Sequence, residues 1–188
     1  RAASSARPIC SPKEVSDWYL RANFREEDER PGFHPGGKEE GDDAFVTKAW
    51  LEKPDGTAIT NVEQGQPFRM NVTVEAIRDV PRPIFSFIAS DSHGTHVFSL
   101  NKRMVEAEGL PDTLRAGEQI TLSAMVNNLL APGHYFLSGR CFRNDSLTDM
   151  FMQVLRVLDF VVFGSEQDPG IVSLIDDVEA SIGEAEPK

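Results

Sequence analysis

Residues 84–103 read IFSFIASDSHGTHVFSLNKR, and residues 129–144 read LLAPGHYFLSGRCFRN. Apolar and polar positions alternate through both, and each holds a turn cluster, DSHG at 91–94 and APGH at 131–134. A period of two between turn residues marks half-buried β-strands. Such strands bury one face and turn the other to solvent. The expected fold is all-β, and any recognition surface is expected on an outward sheet face.

The same texture extends on both sides. Residues 44–53 (AFVTKAWLEK) read as a strand closed by the turn Pro54-Asp55-Gly56-Thr57. Trp50 adjoins Leu51 there, so one of the two must point away from the core. In PFRMNVTVEAI, Phe68, Met70, Val72, Val74 and Ala76 share one face and Arg69, Asn71, Thr73 and Glu75 the other. Further strands are expected at 84–90, 95–101, 118–126, 133–142 and 153–163. Their number, alternation and turns argue an antiparallel, immunoglobulin-like β-sandwich. Residues 103–116 read as a helical turn or a loop.

The flanks differ. A short helix is expected at 12–23, with Ser11 as cap, Pro12 in the first turn and Val15, Trp18 and Tyr19 as one apolar stripe. Residues 25–43 are almost all charge, Gly and Pro, and residues 1–43 are read as linker around that helix. The sandwich domain is expected over 44–175 and an acidic tail over 176–188. IVSLI (171–175) is a strand-sized run beyond a Gly/Pro hinge. Such a run pairs with its own sheet or with a second copy, giving a strand-swapped homodimer.

Composition narrows the function. The chain has 188 residues, 40% hydrophobic, and a net charge of −11. An acidic surface argues against nucleic acid, which needs a basic footprint. No apolar run reaches the ~20 residues of a membrane span. Two cysteines, Cys10 and Cys141, suit a reducing compartment better than a disulfide scaffold. Catalytic signals fail on inspection. Gly32 to Lys38 matches the first seven positions of a phosphate-binding loop, but Glu39 stands where Ser or Thr must hold Mg²⁺. His93 and His96 share a turn without the further ligands zinc needs. No GxSxG elbow is present. No catalytic residue, metal or cofactor is expected.

What remains is a sheet face. Sugars offer C–H faces that stack on aromatic rings and hydroxyls that pair with planar polar groups. On 133–142, alternation sets Tyr135, Leu137, Gly139 and Cys141 on one side. His134, Phe136, Ser138, Arg140 and Phe142 share the other. Arg140, Phe136, Phe142 and Ser138 are the candidate carbohydrate-binding residues, with Gln153 of the next strand and Trp50 as further members. The alternative is a protein-interaction sandwich, adhesin-like or accessory, whose aromatic face meets another protein.

Several blocks carry a family resemblance. They are TKAWLEKPDGT (47–57), the Phe85, Phe87, Asp91, Gly94, Phe98 and Asn101 pattern, LLAPGHYFLSGRCFR (129–143), and Phe160 to Val162 followed by GIVSL (170–174). In order and spacing they resemble the C-terminal carbohydrate-binding domain of Wzt-type ATP-binding subunits of polysaccharide ABC transporters. The chain departs from that pattern at GGKEEGDD before the first strand and at Ala89. The resemblance implies a dimerising immunoglobulin-like sandwich that binds the end of an exported glycan of the O-antigen type. It also implies a separate N-terminal ATPase domain joined to a membrane-spanning transporter subunit. The expected location is cytoplasmic, peripheral at the inner membrane.

Overall fold

The computed structural model describes residues 32–33, 41–104, 109–164 and 172, and all regular structure among them is strand. The strands are β1 (Gly32–Phe33), β2 (Ala44–Glu52), β3 (Ala58–Ile59), β4 (Asn61–Glu63), β5 (Phe68–Ala76) and β6 (Val80–Pro81). They continue with β7 (Ile84–Asp91), β8 (His96–Arg103), β9 (Thr113–Leu114), β10 (Gln119–Val126), β11 (Gly133–Phe142) and β12 (Met150–Phe163). The seven strands expected from alternation are present. The short β1, β3, β4, β6 and β9 carry no periodic signal, because two or three residues cannot show one. The helix expected at 12–23 lies outside the described residues.

One sheet runs β1-β12-β11-β7-β8, with β4 also paired to β12, and a second runs β10-β5-β2-β3. A two-stranded ribbon joins β6 to β9. Neighbours are antiparallel except β4, which runs parallel to β12. That pair departs from the all-antiparallel expectation.

The two larger sheets share one core. Phe68 of β5 packs 5.8 Å, centroid to centroid, from Phe160 of β12. Phe85 meets Phe151 edge-on, and Tyr135 stacks on Phe160 at 5.6 Å. The alternation read in β5 is met: Phe68, Met70, Val72, Val74 and Ala76 are all buried in the core. Cys141 is buried on the same side of β11 as Tyr135 and Leu137.

Two irregularities steer the surface. In β2, Val46 faces Val74 while Lys48 faces Thr73, so Thr47 is an extra residue. Before this bulge Ala44 and Val46 point inward, and after it Ala49 and Leu51 do. The slip sends Trp50 outward. In β12, Leu155, Arg156 and Val157 stand against Ser138 alone, because Leu158 pairs with Leu137 and Val154 with Gly139. Arg156 takes φ 50°, a left-handed conformation uncommon for a side-chain-bearing residue.

Of the IVSLI run, Val172 alone is described. It bridges Leu130 of its own chain.

Candidate functional site

The register lays out the outer face of the β12-β11-β7-β8 sheet row by row. Arg140 of β11 sits opposite Gln153 on one side and Ser86 on the other, and Ser86 sits opposite Asn101. This row crosses four strands and presents a guanidinium, two amides and a hydroxyl. Arg140 and Asn101 are exposed, and Ser86 and Gln153 are half-buried. The row on one side holds Ile84, Phe142 and Met150. The row on the other side holds Ile88 and Ser138. On β8, Arg103 ends the first of these flanking rows and Ser99 the second, so the polar line has Phe142 and Met150 as apolar neighbours on one side and Ile88, between two serines, on the other.

Ser138 does a structural task within this face. Its Oγ accepts the backbone N–H of Arg156 at 3.0 Å and so anchors the β12 bulge. The bulge aims the Arg156 guanidinium over the Phe136 ring, 3.7 Å from the centroid. The His134 ring lies 4.3 Å from Phe136, and His134 Nε2 is 3.9 Å from the buried Asp159 carboxylate. Phe136 is only 7% exposed. It is therefore no open stacking platform. What reaches solvent above it is Arg156, which alternation alone could not place because the bulge interrupts it.

Of the six residues expected from sequence, five share this face: Arg140, Phe136, Phe142, Ser138 and Gln153. Trp50 does not join them. It lies on the other sheet, opposite Asn71 of β5. Its Nε1–H donates to Glu52 at 2.6 Å, and the Lys48 ammonium sits 4.2 Å from its ring centroid. Asn101 and Ser86 were missed. Their parity on β7 and β8 was legible, but their row was not, because the row depends on the pairing register.

The motifs set aside from sequence have plain roles. Asp91 Oδ1 accepts the backbone N–H of His93 and of Thr95, closing the DSHG turn. The Thr95 N–H, then that of His93, hold the Asp91 carboxyl below its usual range. Burial pushes the Cys141 thiol up to about 12, so it is protonated at neutral pH. Among the described residues no three of His, Cys, Asp and Glu cluster closely enough to hold a metal. No helix among them is long and apolar enough to cross a membrane.

Residues 40–174 match the family model of the Wzt C-terminal domain, and the chain belongs to that family. A crystal structure of the C-terminal domain of Wzt superposes with a TM-score of 0.64 at 17% identity, covering 92% of this chain and 100% of that one. At that identity the likeness speaks for the fold. An alkylpurine DNA glycosylase from Pseudomonas fluorescens scores 0.39 at 13% identity over 66% of this chain and 31% of its own. The ApaA protein from Bordetella pertussis scores 0.37 at 13% identity over 64% of this chain and 92% of its own. Neither score carries an argument. No curated protein matches the sequence closely. The family points to a setting in polysaccharide ABC transport.

Proposed function

We propose that this chain is a non-catalytic glycan-binding module of a polysaccharide transporter's ATP-binding subunit. In this reading the domain is an immunoglobulin-like sandwich over 44–175. Its outer β12-β11-β7-β8 face takes the end of an exported polysaccharide of the O-antigen type. Binding couples a finished chain to transport. The partners are a second copy of the chain and, through an N-terminal ATPase domain, the membrane-spanning subunit. The location is the cytoplasmic side of the inner membrane.

The observation that carries the reading is the cross-strand row Asn101–Ser86–Arg140–Gln153, flanked by the half-buried Phe142 and Ile88. The row binds hydroxyls through its guanidinium and amide groups, and the flanks cover C–H faces. Gripping requires no chemistry beyond that, and the affinity of such open faces is modest. Arg140 is exposed and contributes little to folding. A charge-assisted hydrogen bond is worth about 1.5–3 kcal/mol, so Arg140→Ala should weaken binding roughly tenfold or more. Calorimetric titration with polysaccharide from the producing cell measures this. Unchanged affinity would remove Arg140 from the site.

A protein-docking face is the second reading, and one observation favours it. Leu147, Met150 and Leu155 are exposed apolar residues in and just before β12. A glycan titration showing no binding, with the fold intact, would leave that reading standing.

A further inference from the structure

The sandwich has an open side between β8 and β10. A groove of about 430 Å³ lies there, lined by Leu100, Leu110, Ile120 and Leu122, with Asn101 and Lys102 on the β8 side. The edge of β10 bounds it. Among the described residues β5 is the strand that pairs with β10, and its other edge carries none. That edge runs eight residues as QITLSAMV, without the shortness, proline or lysine that guards an uncovered strand.

The ladder fixes which backbone groups face outward. The Gly117 N–H donates to the Ala76 carbonyl, and the Ala76 N–H donates to the Glu118 carbonyl. Gly117 and Glu118 thus form a bulge opposite Ala76, and hydrogen-bonded pairs alternate from there. The N–H and C=O groups of Ile120, Leu122, Ala124 and Val126 turn toward β5. Those of Gln119, Thr121, Ser123 and Met125 turn toward the open edge.

One contact says which segment lies beside that edge. Leu130, four residues past the end of β10, is bridged antiparallel by Val172. A chain continuing antiparallel from Val172 passes back along β10. Carried on, the register of the bridge sets Val178 opposite Ala124, Ala180 opposite Leu122 and Ile182 opposite Ile120. Opposed residues share a face of the sheet, so these three fall on the groove side. Glu179 and Ser181 fall opposite Ser123 and Thr121, on the other face. The chain turns between the bridge and β10, where the Leu129 N–H donates to the Asn127 carbonyl, and a displacement of two residues there keeps the same faces. The run VEASI alternates as an edge strand does, and Gly183 ends it. The family match stops at residue 174, so this run lies beyond what the family shares.

We propose that residues 177–182 add to β10 of their own chain as an edge strand and close the groove with Val178, Ala180 and Ile182. Part of the segment that reads as an acidic tail is then the cover over the open side of the core. The outward groups of Thr121 and Ser123 gain partners. The glycan face stays clear, and the proposal does not depend on what that face binds.

Amide hydrogen exchange followed by NMR on the full chain tests it. The N–H groups of Thr121 and Ser123 should exchange roughly a hundredfold more slowly in the full chain than in a chain ending at Ile175. Those of Leu122 and Ala124, bonded to β5, should stay slow in both. Val178→Asp keeps the tail but sets a charge in the groove, and it should raise exchange to the truncated level, whereas Glu179→Ala should not. Where truncation unfolds the chain, Val178→Asp decides. In a Cys10→Ser background, Ala124→Cys with Val178→Cys should oxidise to a disulfide within one chain. Fast exchange at Thr121 and Ser123 in the full chain, or slow exchange that survives truncation of a folded chain, overturns the proposal. A disulfide that joins two chains overturns it as well, because the edge then holds the tail of a second copy.

Discussion

Gly139 shows how one missing side chain shapes the core. It lies on the inward face of β11, and a Cβ there would meet the Phe87 ring at 2.5 Å and Val154 Cγ1 at 3.1 Å. Phe87 is fully buried and cannot swing aside. Gly139→Ala should therefore cost about 1–3 kcal/mol as overpacking, read as a lower urea midpoint. Two positions away, Cys141 sets a pH dependence. Its thiol titrates near 12 when folded, above the ordinary value of about 8.5–9 in the unfolded chain. The unfolded chain thus releases this proton first. The thiol's contribution is whole below about pH 8.5 and is lost as pH rises toward about 12. Thermal melts should show the midpoint falling across that window, and Cys141→Ala should flatten the slope while lowering the baseline. The inward position of Cys141 was legible from alternation. The need for glycine at 139 was not, because it comes from Phe87, on another strand.

At the level of elements, the ends of strands do as much as their middles. Asp43 sits just before β2, at the close of a run that reads as charged linker, yet it is only 4% exposed. Its N–H donates to the Phe151 carbonyl at 3.0 Å, and its carbonyl accepts the N–H groups of Ile77 and Arg78. Its carboxylate takes Arg78 at 3.1 Å and also Arg143, which bonds Asp149 in turn. One residue thereby ties β2 to the end of β5 and to β12 in the other sheet. Arg78 is largely exposed and adds little. Arg143 is mostly covered, so Asp43→Ala leaves a charge with half its partners and should cost about 2 kcal/mol in chemical denaturation. The β2 bulge acts at the same scale. Strict alternation from Ala44 and Val46 would turn Trp50 inward. One extra residue at Thr47 reverses the parity and puts Leu51 in the core instead.

For the whole molecule, the two larger sheets close on one core, so the face proposed for glycan, on β12, β11, β7 and β8, turns away from the sheet of β10, β5, β2 and β3. A substitution on that outer face, such as Arg140→Ala, is therefore expected to change binding without disturbing the packing between the sheets, and a urea midpoint equal to that of the wild type checks this.

The sequence by itself determined the seven longer strands, the inward faces of β5 and β11, the turns and the family. These are local properties: a period of two and a handful of turn residues express them within ten positions. Tertiary structure alone decided which strands became neighbours. That choice set Asn101, Ser86, Arg140 and Gln153 in one row, and it sent Trp50 to the opposite sheet. The Ser86–Asn101 and Arg140–Gln153 pairs each lie within a hairpin, but the Ser86–Arg140 pair joins β7 to β11, far apart in the chain, and no local window of sequence contains both partners.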